Sequence, residues 1–308
     1  MTRYKIILNP TAGKGNGLKV RPEIERILNK FGLDFDIIQT GYPEHATELT
    51  MQAAQEKYDV VVAAGGDGTA NEVLNGLMQF KQANKHCPVM AILPVGRGND
   101  FSYGVGIPHD LQSSCDLLAS KLIRKIDIGK VTGGDHPEGL YFGNGVGIGF
   151  DAVVGFVAAK GKLTGMLSYL VAAIKTIFIY FKPPLLEVTL ENKTFQMPTL
   201  MVSIMNGRRM GGGFMMAPTA KPNDGIFDLL LVREVPQRAM VGIMLKIMKG
   251  TQAADPAVST SQSKKVIVKS VNGTIPAHAD GVTVCEEGNE LTVEILPAEL
   301  EMITRLAV

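Results

Sequence analysis

Along the first 130 residues, short β-branched runs alternate with longer stretches whose apolar residues recur every three or four positions, the pattern of parallel strands joined by crossover helices. Tyr4 to Leu8, Leu33 to Gln39, Asp59 to Ala64 and Val89 to Leu93 read as strands. Helices are expected near residues 18 to 31, 43 to 57, 69 to 81 and 109 to 120, and Gly32 reads as a helix stop. This predicts an α/β fold with a doubly wound N-terminal domain. After about Ile126 strands follow strands, at residues 138 to 148, 186 to 206, 226 to 233, 264 to 271 and 290 to 296, with turn residues between them. An antiparallel β-sandwich domain is expected there. The reading is thus 1–128 for the first domain and 129–297 for the second, with 298–308 a strand candidate for return to the first.

Residues 163 to 181 are the most apolar stretch, and their length of 19 is within reach of a membrane span. Lys175 interrupts it. Leu163, Leu167, Leu170, Ile174, Phe178 and Phe181 recur at helical spacing, while Ser168, Ala172, Lys175 and Thr176 fall mostly elsewhere on the wheel, which predicts an amphipathic packing helix. Charge supports a competing reading. No Asp or Glu occurs from Ala152 to Leu186, whereas Lys160, Lys162, Lys175 and Lys182 do, as peripheral contact with an anionic membrane would favour.

At 308 residues, and roughly 150 per domain, two domains are expected. Apolar residues make up 45% and charged residues 20%, so burial can offset the entropy of ordering and the disordered class is excluded. A net charge of +1 supplies no sequence-independent pull toward nucleic acid. Cys87, Cys115 and Cys285 lie far apart, lack metal-ligand spacing and read as core thiols in a reducing compartment. The run Ile6-Ile7-Leu8 is stopped at once by Asn9-Pro10, so no secretory signal is read and a cytoplasmic location is expected. The five histidines show no ligand spacing. A homodimer is left open.

Ligands of open parallel sheets bind at the carboxyl ends of the strands, and three loops there are unusual. Asn9-Pro10-Thr11-Ala12-Gly13-Lys14-Gly15-Asn16-Gly17 meets neither P-loop nor dinucleotide spacing and reads equally as a solvated turn or a phosphate cradle. In Gly65-Gly66-Asp67-Gly68-Thr69-Ala70-Asn71-Glu72, three glycines around one aspartate let backbone N–H groups converge on an anion at a helix start. Thr69 and Glu72 fit a capping box. Asp67 would repel a phosphate unless it holds Mg²⁺ or accepts a proton from a nucleophile, which makes it the best catalytic candidate. The third loop, Leu93-Pro94-Val95-Gly96-Arg97-Gly98-Asn99-Asp100-Phe101, again joins glycines to polar side chains.

In that order and spacing, NPTAGKG, GGDGTANEVLNG and LPVGRGND resemble the catalytic-domain family of diacylglycerol kinases, which includes bacterial diacylglycerol kinases and sphingosine and ceramide kinases. Asp127-Ile128-Gly129, Gly145 to Asp151, Asn206-Gly207, Gly211 to Gly213 and Pro218 to Asp228 extend the likeness over essentially the whole chain. GGDG alone is shared with NAD kinases. The resemblance implies a nucleotide-binding α/β domain, a β-sandwich that takes a lipid, and an ATP- and Mg²⁺-dependent kinase phosphorylating a hydroxyl of diacylglycerol or a related long-chain lipid.

It implies ATP contacts at Asn9, Thr40, Arg97 and the run Gly65, Gly66, Asp67, Gly68, Thr69, Ala70 and Asn71. It further implies Asp67 as the central catalytic carboxylate, Asp100 and Asp127 beside it in a Mg²⁺-water network, and a structural Mg²⁺ site at Asp224 with backbone carbonyls near Lys221 and Ile226. Without the family, Asn223-Asp224-Gly225 is simply a tight turn. Two positions depart. Arg97 stands where the family has Thr, and its fixed donors could still grip phosphate. Near the end the family carries Asp-Gly-Glu, its glutamate assigned as the proton acceptor, but here the run is Asp280-Gly281-Val282. Valine cannot take a proton, so the alternatives are a catalytically impaired nucleotide or lipid sensor and, less in keeping with the loops, a NAD kinase.

Overall fold

In the computed structural model, the described residues are 2–84, 87–159, 166–179, 183–191 and 193–306. The elements run β1 (Arg3–Leu8), α1 (Ala12–Lys30), β2 (Asp34–Gln39), α2 (His45–Gln55), β3 (Val60–Gly65), α3 (Asp67–Ala83), β4 (Val89–Pro94), α4 (Asp100–Gly104), α5 (Leu111–Ser120) and β5 (Ile123–Gly133). Next come β6 (His136–Phe142), β7 (Gly145–Gly149), α6 (Phe150–Ala159), α7 (Met166–Ile179), β8 (Leu185–Leu190), β9 (Lys193–Met205), β10 (Phe227–Arg233) and α8 (Gln237–Lys249). The series closes with β11 (Val258–Ser263), β12 (Lys265–Ser270), β13 (Ile275–Ala279), β14 (Val282–Gly288) and β15 (Glu290–Ile303). The chain divides into two compact units, Met1–Asp127 with Ala298–Val308, and Ile128–Pro297.

The first unit is a parallel sheet in the order β2-β1-β3-β4, with the end of β15 parallel to β4 through Met302 and Met90. Every residue of β3, Val-Val-Val-Ala-Ala-Gly, is buried, as a central strand covered on both faces requires. The helices pair as α1 with α5 and α2 with α3. Thr304 closes this unit by donating its Oγ1 hydrogen to Val105 O and its N–H to Leu122 O, the latter at 2.9 Å.

The second unit is antiparallel. One sheet runs β14-β13-β7-β9-β10-β11; the long strand β9 also pairs β8 through residues 193–198, and β8 leads on to β12 and β15. Alternate side chains such as Ile148, Ile204, Leu229 and Ala277 meet Val188, Val266, Leu291 and Phe142 in one apolar core, the interior of a sandwich. The opposite face of the β9–β10 sheet is covered by α6, α7 and α8, whose Met240, Met244 and Ile177 fill a second cluster with Met201, Met205 and Leu230. This helical layer was visible in the sequence only as α7.

That helix follows its pattern only at Leu170, which packs on the second cluster, and otherwise buries a different side. Ser168, Ala172, Ala173, Thr176 and Ile177 are buried, whereas Ile174 is 45% and Phe178 72% exposed. Leu163 and Phe181 of the apolar stripe, and Lys160, Lys162 and Lys182 of the cationic series, lie outside the described residues. Among the described residues no helix is long and apolar enough to cross a membrane.

Candidate active site

Three loops leave the carboxyl ends of β1, β3 and β4, side by side in the first unit. Asn9 ties the first to the second. Its N–H donates to Ala64 O at 2.9 Å, its Oδ1 accepts from the N–H and Oγ1 of Thr11 at 3.0 and 2.9 Å, and its Nδ2 donates to Thr69 Oγ1 at 3.1 Å. Asn9 and Thr69 are therefore positioning groups of one network. Beyond them Gly13, Lys14 and Gly15 are all left-handed, with φ of 60, 63 and 83°, and break the start of α1. Thr40, at the end of β2, donates its N–H to Leu8 O at 2.9 Å.

The second loop enters α3 with Gly66 at the N-cap and Asp67 as the first helical residue. No side chain caps α3, which corrects the capping-box expectation. Thr69 turns to Asn9, and Glu72 Oε2 instead accepts the Ala46 N–H at 3.0 Å, at the start of α2. The box pattern was legible, but the pairing of α2 with α3 offered its carboxylate a different helix end. Gly68 is exposed, and Ala70 and Asn71 are buried under the loop.

The third loop meets the second backbone to backbone. A Cβ on Gly96 would stand 2.4 Å from Gly66 Cα, so only glycine permits this approach. Asn99, buried and left-handed at φ 52°, folds its Nδ2 back to Gly96 O at 2.9 Å. Asp67 Oδ1 accepts the Phe101 N–H at 3.0 Å, which fixes the carboxylate across the two loops. A Cβ on Gly98 would lie 2.9 Å from Asp67 Oδ2 and 3.8 Å from Asp100 Oδ2. Gly98 thus lets two carboxylates approach one point, with Asp100 itself buried. Arg97 stands exposed beside them in the chain. Asp127, buried in β5, accepts the Ala298 N–H at Oδ1, 2.7 Å away.

The second unit holds the remaining candidates. Asp224 is exposed, and its Oδ1 accepts the Ile226 N–H at 3.3 Å in a turn that Gly225 completes at φ 75°. One carboxylate with neighbouring carbonyls at Lys221 and Ile226 is an all-oxygen donor set, the chemistry that suits Mg²⁺. Among the described residues no cluster of three or more His, Cys, Asp or Glu side chains is assembled for a metal.

At the departure from the family pattern, Asp280 and Gly281 are left-handed at φ 48 and 85°, forming a two-residue hairpin turn in which Ala279 opposes Val282. Val282 consequently packs against the sandwich core. Asp280 beside it is held by the backbone: its oxygens accept the N–H groups of Gly143, Asn144 and Gly145 at 2.7, 3.1 and 2.9 Å. That brace between β13 and the start of β7 was not foreseen, although Asp-Gly is a hairpin signal. Sequence spacing also gave no sign of His278, whose Nε2 lies 4.0 Å from Asp151 Oδ1, while Ser203 Oγ donates to Asp151 Oδ2 at 3.2 Å.

Residues 3–131 match the diacylglycerol kinase catalytic domain, and residues 144–304 match the YegS C-terminal NAD kinase beta sandwich-like domain. The chain belongs to the diacylglycerol kinase family. The diacylglycerol kinase of Bacillus subtilis (strain 168) is 28% identical over 284 residues, covering 91% of this chain and 90% of that protein. The crystal structure of a diacylglycerol kinase from Bacillus anthracis str. Sterne superposes with a TM-score of 0.75 at 21% identity, over 99% of this chain and 97% of that one. Yeast NADH kinase shares the fold alone, at a TM-score of 0.51 and 11% identity over 97% of this chain and 82% of that one. Membership of the family places the chain among the kinases that act on an alcohol group.

Proposed function

We propose that the protein transfers the γ-phosphoryl group of ATP to a hydroxyl of diacylglycerol or a related long-chain lipid, working from the cytoplasm at the inner face of the membrane. The approach of Asp67 and Asp100 to one point above Gly98 carries this reading. Phosphoryl transfer through a loose transition state depends on positioning and charge neutralisation more than on covalent help. The backbone amides of Gly66 to Gly68, at the start of the 17-residue α3, suit an anionic phosphate. Arg97 adds a permanent positive charge with fixed donors. Asp67, Asp100 and Asp127 offer only oxygen donors and suit Mg²⁺, which when bound neutralises charge on the phosphates. Asp67, oriented by the Phe101 N–H, accepts the proton of the lipid hydroxyl as the O–P bond forms and ADP departs. The β-sandwich unit takes the acyl chains, and Lys221, Asp224 and Ile226 hold a structural Mg²⁺.

One observation favours a second reading, in which the chain binds nucleotide and lipid without turnover: Val282 packs on apolar residues where the family has its proton acceptor. Labelled ATP, Mg²⁺ and diacylglycerol in mixed micelles separate the two. The kinase reading expects label in the lipid phase, lost by about 100-fold or more in Asp67→Asn. Lipid labelling unchanged by Asp67→Asn removes that residue from the chemistry, and nucleotide binding without any labelled lipid establishes the sensor.

A further inference from the structure

The two helices α7 and α8 pack together, and Gln237 Nε2 at the start of α8 donates to Ile177 O of α7 at 3.0 Å. Both contribute to the methionine-rich cluster beneath them. Their outer sides are unusual. On α7 Ser168, Ala172, Ala173, Thr176 and Ile177 face the protein, while Ile174 and Phe178 are 45% and 72% exposed, with exposed Lys175 between them in sequence. Two large apolar side chains exposed on one helix are not explained by packing within the unit, where Ile177, Leu170 and Tyr169 already serve.

Independently, α8 buries Met240, Ile243, Met244 and Ile247 and still exposes apolar residues on its other side. Arg238, Val241, Leu245 and Lys249 are exposed and follow one another at three- and four-residue steps, so they form a single stripe with a cation at each end. Within it Val241 is 41% and Leu245 50% exposed. No carboxylate interrupts either segment: none occurs from Ala152 to Leu186 or from Val235 to Ala254. Long cationic side chains flanking large apolar residues can remain at headgroup level while the apolar groups enter the acyl boundary. A protein partner of ordinary surface would require no such exclusion of acidic groups over two separate segments.

We infer that the outer sides of α7 and α8 together dock the protein on an anionic bilayer, through Ile174, Phe178, Val241 and Leu245 with Lys175, Arg238 and Lys249. This deepens the lipid-kinase reading and rests on it for its biological sense, but the contact itself requires neither ATP nor acceptor lipid. The test therefore uses vesicles of phosphatidylglycerol and phosphatidylcholine that contain no diacylglycerol, with no nucleotide present.

The full chain floats with anionic vesicles and not with phosphatidylcholine alone. Phe178→Ser with Leu245→Ser weakens binding by about tenfold or more. Lys175→Gln and Lys249→Gln each weaken it by about fivefold and flatten its salt dependence. The chain has no tryptophan, so Leu245→Trp and Phe178→Trp provide single fluorescent reporters on the proposed surface. Their emission shifts to the blue on anionic vesicles, while Phe31→Trp, at an exposed position of the first unit, does not shift. Absence of flotation, flotation unaffected by the double serine variant, or an equal shift at Phe31→Trp overturns the inference. So does self-association through Leu245 in sedimentation without vesicle binding, which would make a second copy the occupant. Kinase failure with intact flotation and intact reporter shifts would overturn only the catalytic reading.

Discussion

Asp127 Oδ1 receives the N–H of Ala298 at 2.7 Å, so the residue at which the chain leaves its first unit also fastens the point at which it comes back. Ala298 is left-handed at φ 52°, a conformation that its Cβ disfavours and that this hydrogen bond helps hold. Asp127→Ala should lower stability by about 1–2 kcal/mol in urea denaturation, because the hydrogen bond from Ala298 to a charged acceptor is lost. Asp127→Asn retains an acceptor oxygen and should cost less. If turnover falls equally in both, the charge of Asp127 serves the reaction apart from its fastening role.

Gly98→Ala places a methyl group 2.9 Å from Asp67 Oδ2, where the carboxylate must move. The expected result is a kcat about 10–100-fold lower with little change in thermal midpoint, since a small displacement at a positioned group is expensive in rate. Gly96→Ala, facing Gly66 Cα at 2.4 Å, should instead reduce stability as well as activity. Parallel melting curves and initial rates distinguish them.

Glu72→Ala removes the acceptor for the Ala46 N–H and should cost about 0.5–2 kcal/mol, the usual range for a lost helix cap. The loss should appear in equilibrium unfolding with kcat unchanged. A large fall in kcat at undiminished stability would give Glu72 a role in the reaction itself.

Val282→Glu directs a carboxylate toward the sandwich core and should destabilise the second unit by about 1–3 kcal/mol. Restored or increased lipid phosphorylation in this variant would mean that the hairpin can turn the new side chain toward substrate.

Burial pushes the Cys115 thiol up from 9.0 to about 12, and the Cys87 thiol from 9.0 to about 11 with partial opposition from Lys81. Both folded values are raised, so their contribution to stability is complete below about pH 9 and is lost as pH rises through these values. Unfolding free energy should decline across that alkaline window, and Cys115→Ala should flatten the decline. At neutral pH the thiol of Cys115 should react with disulfide reagents only as fast as the protein opens.

The α/β-plus-sandwich class was legible because β1, β3 and β4 are short β-branched runs at strand ends followed by glycine loops. Runs of strands without intervening helical periodicity marked the second half. The meeting of Asp67 with Phe101 was not legible, since it depends on how closely two loops from neighbouring strands approach, and that closeness rests on Gly66 and Gly96. Thr69 and Glu72 show the limit of a local motif: each had the right spacing for one another and found partners in Asn9 and Ala46 instead. For α7 the helical period was readable, but the choice of inward face went to Ala172, Ala173 and Ile177, which pack in the methionine cluster. Periodicity reports that a helix has two sides without saying which is covered.

The second unit is continuous in sequence, whereas the first is interrupted by all of it and contains Met302 alongside Met90. On the ribosome, the later-encoded body can therefore finish folding while the earlier one still waits for its last strand.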